Sequence, residues 1–129
     1  MAKVLLAEDD AFLALIVETE LRSDHEVVRV PDGEAVFRSI ERSRPDIILL
    51  DLIMPNMDGF QVLEKLKRDV SLSSIPVLVL TNLGEKQDIE RAMKAGAADV
   101  LVKVNYAPRE LHEKINQFCN KLDKNEQRR

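Results

Sequence analysis

The sequence predicts an α/β protein: a doubly wound parallel sheet of five strands with helices on both faces. Two observations carry this. Short apolar runs alternate with longer helix-like segments five times over, and several runs are nearly continuous in Val, Ile and Leu. Strands buried on both faces of a parallel sheet read in this way. At 129 residues the chain accommodates one such domain.

The first strand is "KVLLAE" (3–8). Asp10 can cap the helix after it, where Leu13, Ile16, Val17 and Leu21 form a stripe at helical spacing. "EVVRV" (26–30) alternates apolar with charged residues, which suits an edge strand. "GEAVFRSIERS" reads as the second helix and "DIILLD" (46–51) as the third strand, followed by the helix "GFQVLEKLKRDV". "IPVLVL" (75–80) is the fourth strand, and the helix "EKQDIERAMKAG" stops at Gly96. "DVLVK" (99–103) is the fifth strand. Pro108 then opens a last helix with Leu111, Ile115, Phe118 and Leu122 on one face. The domain therefore covers 1–122, and "DKNEQRR" (123–129), charged and without apolar residues, reads as a frayed tail.

Composition narrows the function. A net charge of -4, with one tyrosine and no tryptophan, argues against a nucleic-acid or anionic-membrane surface. A single cysteine, Cys119, excludes an internal disulfide framework and fits a reducing compartment. No apolar run has the length to span a bilayer, and the N-terminus leads straight into "KVLLA", so a cytoplasmic, unexported chain is expected.

In doubly wound sheets, ligands bind beyond the C-terminal ends of the strands. The residues there are Glu8, Asp9 and Asp10 after the first strand, Asp51 after the third, Thr81 after the fourth and Lys103 after the fifth. Several acids on one sheet edge repel one another unless a cation sits among them. Hard oxygen donors suit Mg²⁺, and a hydroxyl with an ammonium opposite suits an anionic oxygen ligand. Together they describe a site for Mg²⁺ and a phosphoryl group, with Asp51 a candidate nucleophile for an aspartyl-phosphate.

"LLAEDD", "LLDLIMPNMDG", "VLVLTN" and "GAADVLVK", in this order, resemble the response-regulator receiver domain of two-component signalling in a single-domain form. The likeness spans roughly residues 3–122, and D-x-x-M-P-x-M-D-G is intact. It implies a flavodoxin-like (βα)₅ sheet of order 2-1-3-4-5, and a phosphorylation-dependent switch that catalyses only its own phosphorylation and dephosphorylation. It further implies Asp51 as phosphoacceptor, and Asp9, Asp51 and the Ile53 main-chain carbonyl as direct Mg²⁺ ligands, with Glu8 acting mainly through water. Thr81 would be the switch hydroxyl and Lys103 the salt-bridge partner of the phosphoryl group. The implied partners are a histidine kinase or histidine phosphotransfer protein and a downstream protein target. Because no output domain follows in these residues, the chain is expected to be a stand-alone receiver or a piece of a longer protein.

Three departures from the family pattern bear on switching. Val104 stands where proline, joined by a cis bond, usually follows the lysine. A non-proline cis bond costs roughly 2.5–4 kcal/mol, so a trans Lys103–Val104 bond and a reshaped 104–108 loop are expected. Val100 occupies the place of the usual switch aromatic, and Asn82 replaces the usual small residue after the threonine, where it can alter access of hydrolytic water. The first helix is apolar nearly all round. Phe12 and Leu15 fall outside its core stripe and offer a docking surface for the phosphodonor protein together with the 104–108 loop, or are merely scattered surface apolar residues.

Plainer readings account for the rest. Asp10 is a helix cap, Pro55 and Asp58-Gly59 are turn chemistry, Met54 and Met57 are loop packing, and Cys119 is a small apolar residue on a helix face. His25 and His112, with no partner pattern around them, read as solvent-facing. The main alternative function is a non-phosphorylated pseudo-receiver serving as a protein-interaction adaptor. An aspartyl-nucleophile phosphatase would want a second acid at position 53, which is Ile53, and a flavin domain would want a phosphate cradle where the acids Glu8–Asp10 stand.

Overall fold

The computed structural model describes the backbone of residues 2–127 and the side chains of residues 2–121. Its elements are β1 (Lys3–Ala7), α1 (Ala11–Leu21), β2 (Glu26–Val30), α2 (Gly33–Arg42), β3 (Ile47–Leu50), α3 (Gly59–Arg68), β4 (Val77–Thr81), α4 (Lys86–Lys94), β5 (Asp99–Val102) and α5 (Pro108–Gln127), with a 3₁₀ turn at Lys103–Asn105 between the last two. All strand pairs are parallel, in the order β2-β1-β3-β4-β5.

Successive strand residues point to opposite faces, and the chain uses this to build two cores. Leu5, Ala7, Ile48, Leu50, Val77 and Val79 face one way and pack under α2, α3 and α4 through Val36, Ile40, Leu63, Leu66 and Ala92. Val4, Leu6, Ile47, Leu49, Leu78 and Leu80 face the other way and pack under α1 and α5 through Ala14, Val17, Leu21, Leu111, Ile115 and Cys119. Each fully buried Leu or Ile contributes roughly 1.5–3 kcal/mol relative to exposure. β2 lies at the sheet edge, as its alternating pattern predicts, and Val28 on it is exposed.

The α1 stripe is shifted from the expected one. Ala14, Val17 and Leu21 are buried, whereas Leu13 and Ile16 are only half-buried, because a small residue lets the helix sit closer to the sheet. Leu122 lies outside the described side chains. The backbone of α5 runs on to Gln127, so the expected tail from 123 lies partly within that helix and partly outside the described residues.

Local chemistry sets the helix starts that frame the site. Asp10 Oδ1 accepts from the N–H groups of Phe12 (3.0 Å) and Leu13 (3.1 Å) to start α1. Asp58 and Gln61 form a reciprocal capping box on α3. A Cβ added to Gly59 would run into the Asp51 carbonyl oxygen and Leu52 Cα, so α3 can begin against the end of β3 only with a glycine there. Among the described residues there is no cis peptide bond, and Lys103–Val104 is trans as expected.

The two histidines depart from the solvent-facing reading. His25 is buried, with Nδ1 accepting from Ala2 N–H at 3.0 Å and Nε2 2.5 Å from Asn116 Oδ1. His112 Nε2 lies 2.9 Å from Asp24 Oδ1, and its Nδ1 lies 3.4 Å from Glu20 Oε2. Asn116 Nδ2 donates to Asp24 Oδ2 at 3.0 Å, so these polar groups together clamp the α1–β2 turn to α5. Buried polar side chains persist where they find partners, and these partners come from distant parts of the chain.

Candidate functional site

Three strand ends deliver the acids and the lysine to one place. Asp51 follows β3, and its N–H donates to Ala7 O at 3.1 Å, which keeps it level with the end of β1. Glu8 follows β1, and its N–H donates to Val30 O at 3.0 Å. Lys103 follows β5. Glu8, Asp51 and Lys103 are all buried, as is Thr81, while Asp9 is exposed at the mouth.

Lys103 Nζ donates to Asp51 Oδ2 at 2.9 Å and also to the Glu8 carboxylate. The other Asp51 oxygen, Oδ1, accepts from Ile53 N–H at 3.3 Å. Thr81 Oγ1 accepts from Leu83 N–H at 3.2 Å. Burial pushes the Glu8 carboxyl up to about 7; its hydrogen bond with Lys103 opposes the rise, and the neighbouring Asp51 carboxylate adds to it. Two buried acids thus share one buried ammonium, an arrangement short of positive charge.

The donor set fits a divalent cation. Glu8, Asp9 and Asp51 each offer a carboxylate oxygen, and these atoms all lie within 4.8 Å of one another. Hard oxygens around a charge-deficient spot, with an open mouth for water, are what Mg²⁺ requires. Ile53 is exposed at the same mouth, two residues beyond Asp51. The sheet edge therefore unites Glu8, Asp9, Asp51 and Lys103 as the sequence predicts and sets Thr81 at the end of β4.

The model of the response regulator receiver domain matches residues 4–116. The chain belongs to the response-regulator receiver family. Its place is therefore in two-component signal transduction, as the receiver domain of a response regulator. The receiver is 32% identical over 123 residues to a "Probable transcriptional regulator ycf27" of Porphyridium aerugineum, which covers 95% of this chain and 50% of that protein. It is 38% identical over 103 residues to the "Response regulator PleD" of Caulobacter vibrioides, 79% of this chain and 23% of that protein. The chain thus spans half or less of the length of these curated relatives. Among solved structures, the Mn²⁺-bound form of response regulator Rcp1 superposes with a TM-score of 0.82 at 28% identity, covering 92% of this chain and 94% of that one. The sheet order 2-1-3-4-5 is that of the flavodoxin-like receiver fold.

One residue beside the receiver's acids escaped the sequence reading. Arg29, on the edge strand β2, donates through Nε to Glu8 O at 2.9 Å and through a terminal nitrogen to Asp9 O at 3.2 Å. Within "EVVRV" it reads simply as a charge at an edge. The available signal was its parallel neighbour, since Arg29 stands opposite Leu6, two residues short of Glu8.

Proposed function

We propose that the protein is a cytoplasmic, phosphorylation-dependent signalling switch whose phosphoacceptor is Asp51. The observation that carries this reading is a buried carboxylate held at 2.9 Å by a buried ammonium, beside two further acids at the strand ends. The donor is a phosphohistidine on a histidine kinase or phosphotransfer protein, or a small phosphodonor.

In the transfer, an Asp51 carboxylate oxygen attacks phosphorus. The bond from phosphorus to the donor breaks, its electron pair departs with the donor, and an acyl phosphate is left on Asp51. Asp9, Asp51 and the Ile53 main-chain carbonyl, with Glu8 acting mainly through water, would hold Mg²⁺, which would supply positive charge against the phosphoryl oxygens. Lys103 exchanges its contact with Asp51 for a phosphoryl oxygen, and the Thr81 hydroxyl turns to donate its hydrogen to the same group. Attack of water on phosphorus later releases inorganic phosphate and restores the carboxylate.

The signal spreads because Thr81 and Lys103 end β4 and begin the turn after β5. Their movement biases the face formed by α4, β5 and α5. Of the described residues of α4 only Ala92 is buried, so this helix is held down by little apolar packing and can shift at small cost.

Incubation with Mg²⁺ and a small phosphodonor, followed by intact-mass measurement, tests the reading. One phosphoryl adduct is expected, lost in Asp51→Asn and on chelation of Mg²⁺. No adduct sinks the reading in favour of an unphosphorylated adaptor, and an adduct that Asp51→Asn retains sinks Asp51 as the phosphoacceptor.

A further inference from the structure

Arg29 touches neither the Asp51 carboxylate nor the Lys103 ammonium by any hydrogen bond described above, yet it braces the loop that carries two of the three acids. Its guanidinium donates to two successive main-chain carbonyls, Glu8 O at 2.9 Å and Asp9 O at 3.2 Å. The Glu8 N–H to Val30 O bond, 3.0 Å, closes the same corner from the backbone side. An arginine fork is rigid and planar, so two bonds from one guanidinium fix the relative orientation of the two peptide groups. The carboxylates of Glu8 and Asp9 hang from those peptides, and Asp9 is itself exposed. Without the brace, ordering Asp9 would have to be done by the arriving cation, at a cost in affinity.

We propose that Arg29 is a positioning residue for the divalent-cation site, setting the direction of Glu8 and Asp9 before the cation binds. This rests on reading Glu8, Asp9 and Asp51 as the cation site. Electrostatics alone argues for the opposite effect. A guanidinium next to the carboxylates repels a dication, so removing a residue that acts only as a charge tightens binding. Removing a residue that positions ligands weakens it, and loss of outer partners of metal ligands typically costs 10–100-fold in affinity. The sign of the change therefore separates the two roles.

The experiment is titration of Mg²⁺ into the full chain, followed by calorimetry, for the wild type, Arg29→Met and Arg29→Lys. Expected is a dissociation constant raised about tenfold or more in Arg29→Met. Arg29→Lys, with the charge kept but only one carbonyl held at a time, should fall between the two. Amide hydrogen exchange without metal supplies a second readout: residues 9–11 should exchange faster in both variants while β3 and β4 are unchanged. Binding by Arg29→Met equal to or tighter than wild type, or unchanged exchange at 9–11, overturns the proposal. If Arg29→Met does not fold, Arg29→Lys decides, and its binding as tightly as wild type overturns the proposal too. Failure of the wild type itself to bind Mg²⁺ is a separate result that removes the cation reading on which this one stands.

Discussion

Glu8 is the residue in which burial and function conflict most directly. Its unfolded carboxyl titrates at 4.5 and its folded one at about 7, because burial penalises the charged form. Between those values the folded chain keeps a proton that the unfolded chain has released, so stability falls as pH rises across that window. A cation needs the ionised form, so Mg²⁺ affinity should move the other way. It should rise with pH by up to about tenfold per unit below 7 and then level off. Thermal melts in a chelator should show a midpoint that declines from 4.5 to about 7, and saturating Mg²⁺ should cancel the decline. A midpoint that climbs through this range without metal would contradict the assignment. The position of Glu8 was legible because it stands next to Asp9 directly after an apolar strand. Its burial was not, since that depends on Lys103, 95 residues away in sequence.

Among elements, α1 carries the most information per residue. Its inner side is pinned by Ala14, Val17 and Leu21, and its outer side shows Phe12 at 75% and Leu15 at 59% exposure. Val104, on the turn after β5, is 76% exposed. Large apolar side chains left in water around the mouth of a site favour a protein partner over a small ligand. Phe12→Ala and Leu15→Ala should therefore slow phosphotransfer from a histidine-phosphorylated partner several-fold and leave phosphorylation by a small donor unchanged. Equal slowing of both reactions would mean that these side chains support the fold. The nearly apolar sequence "AFLALIV" announced a helix with too many apolar faces, but it could not say which face the sheet takes. Choosing Ala14 over Leu13 and Ile16 is a packing decision, made by how closely the helix can approach β1 and β3. His25 was missed for a similar reason. Its partners, Ala2 and Asn116, lie 23 and 91 residues away, and no local pattern marks them.

At the scale of the whole molecule, the site sits at the edge of the sheet that separates the two cores, and Lys103 stands between residues that join different cores. Before it, Val100 packs against the core beneath α2, α3 and α4. After it, Tyr106 packs against the core beneath α1 and α5, its N–H donating to Lys103 O at 3.1 Å. The strands and the residues at their ends were readable because alternation and apolar continuity are local properties, whereas the strand order followed from the motifs' resemblance to the receiver family. The route by which the site reaches the rest of the molecule was not, because it depends on which core each residue after β5 joins. With valine at position 100 there is no ring on the α4 side to swing inward, so the aromatic group tied most directly to Lys103 is Tyr106. If the proposed exchange of Lys103 from Asp51 to a phosphoryl oxygen draws the 3₁₀ turn Lys103–Asn105 after it, Tyr106, which ends that turn, moves too. The chain has one tyrosine and no tryptophan, so its intrinsic emission reports this ring alone. Phosphorylation by a small donor in the presence of Mg²⁺ should change tyrosine emission in step with the adduct measured by mass. The change should reverse as the phosphoryl group hydrolyses, and it should be absent in Asp51→Asn. Full adduct formation with constant emission would mean that the turn stays fixed and that the signal leaves the site through Thr81 and β4 instead.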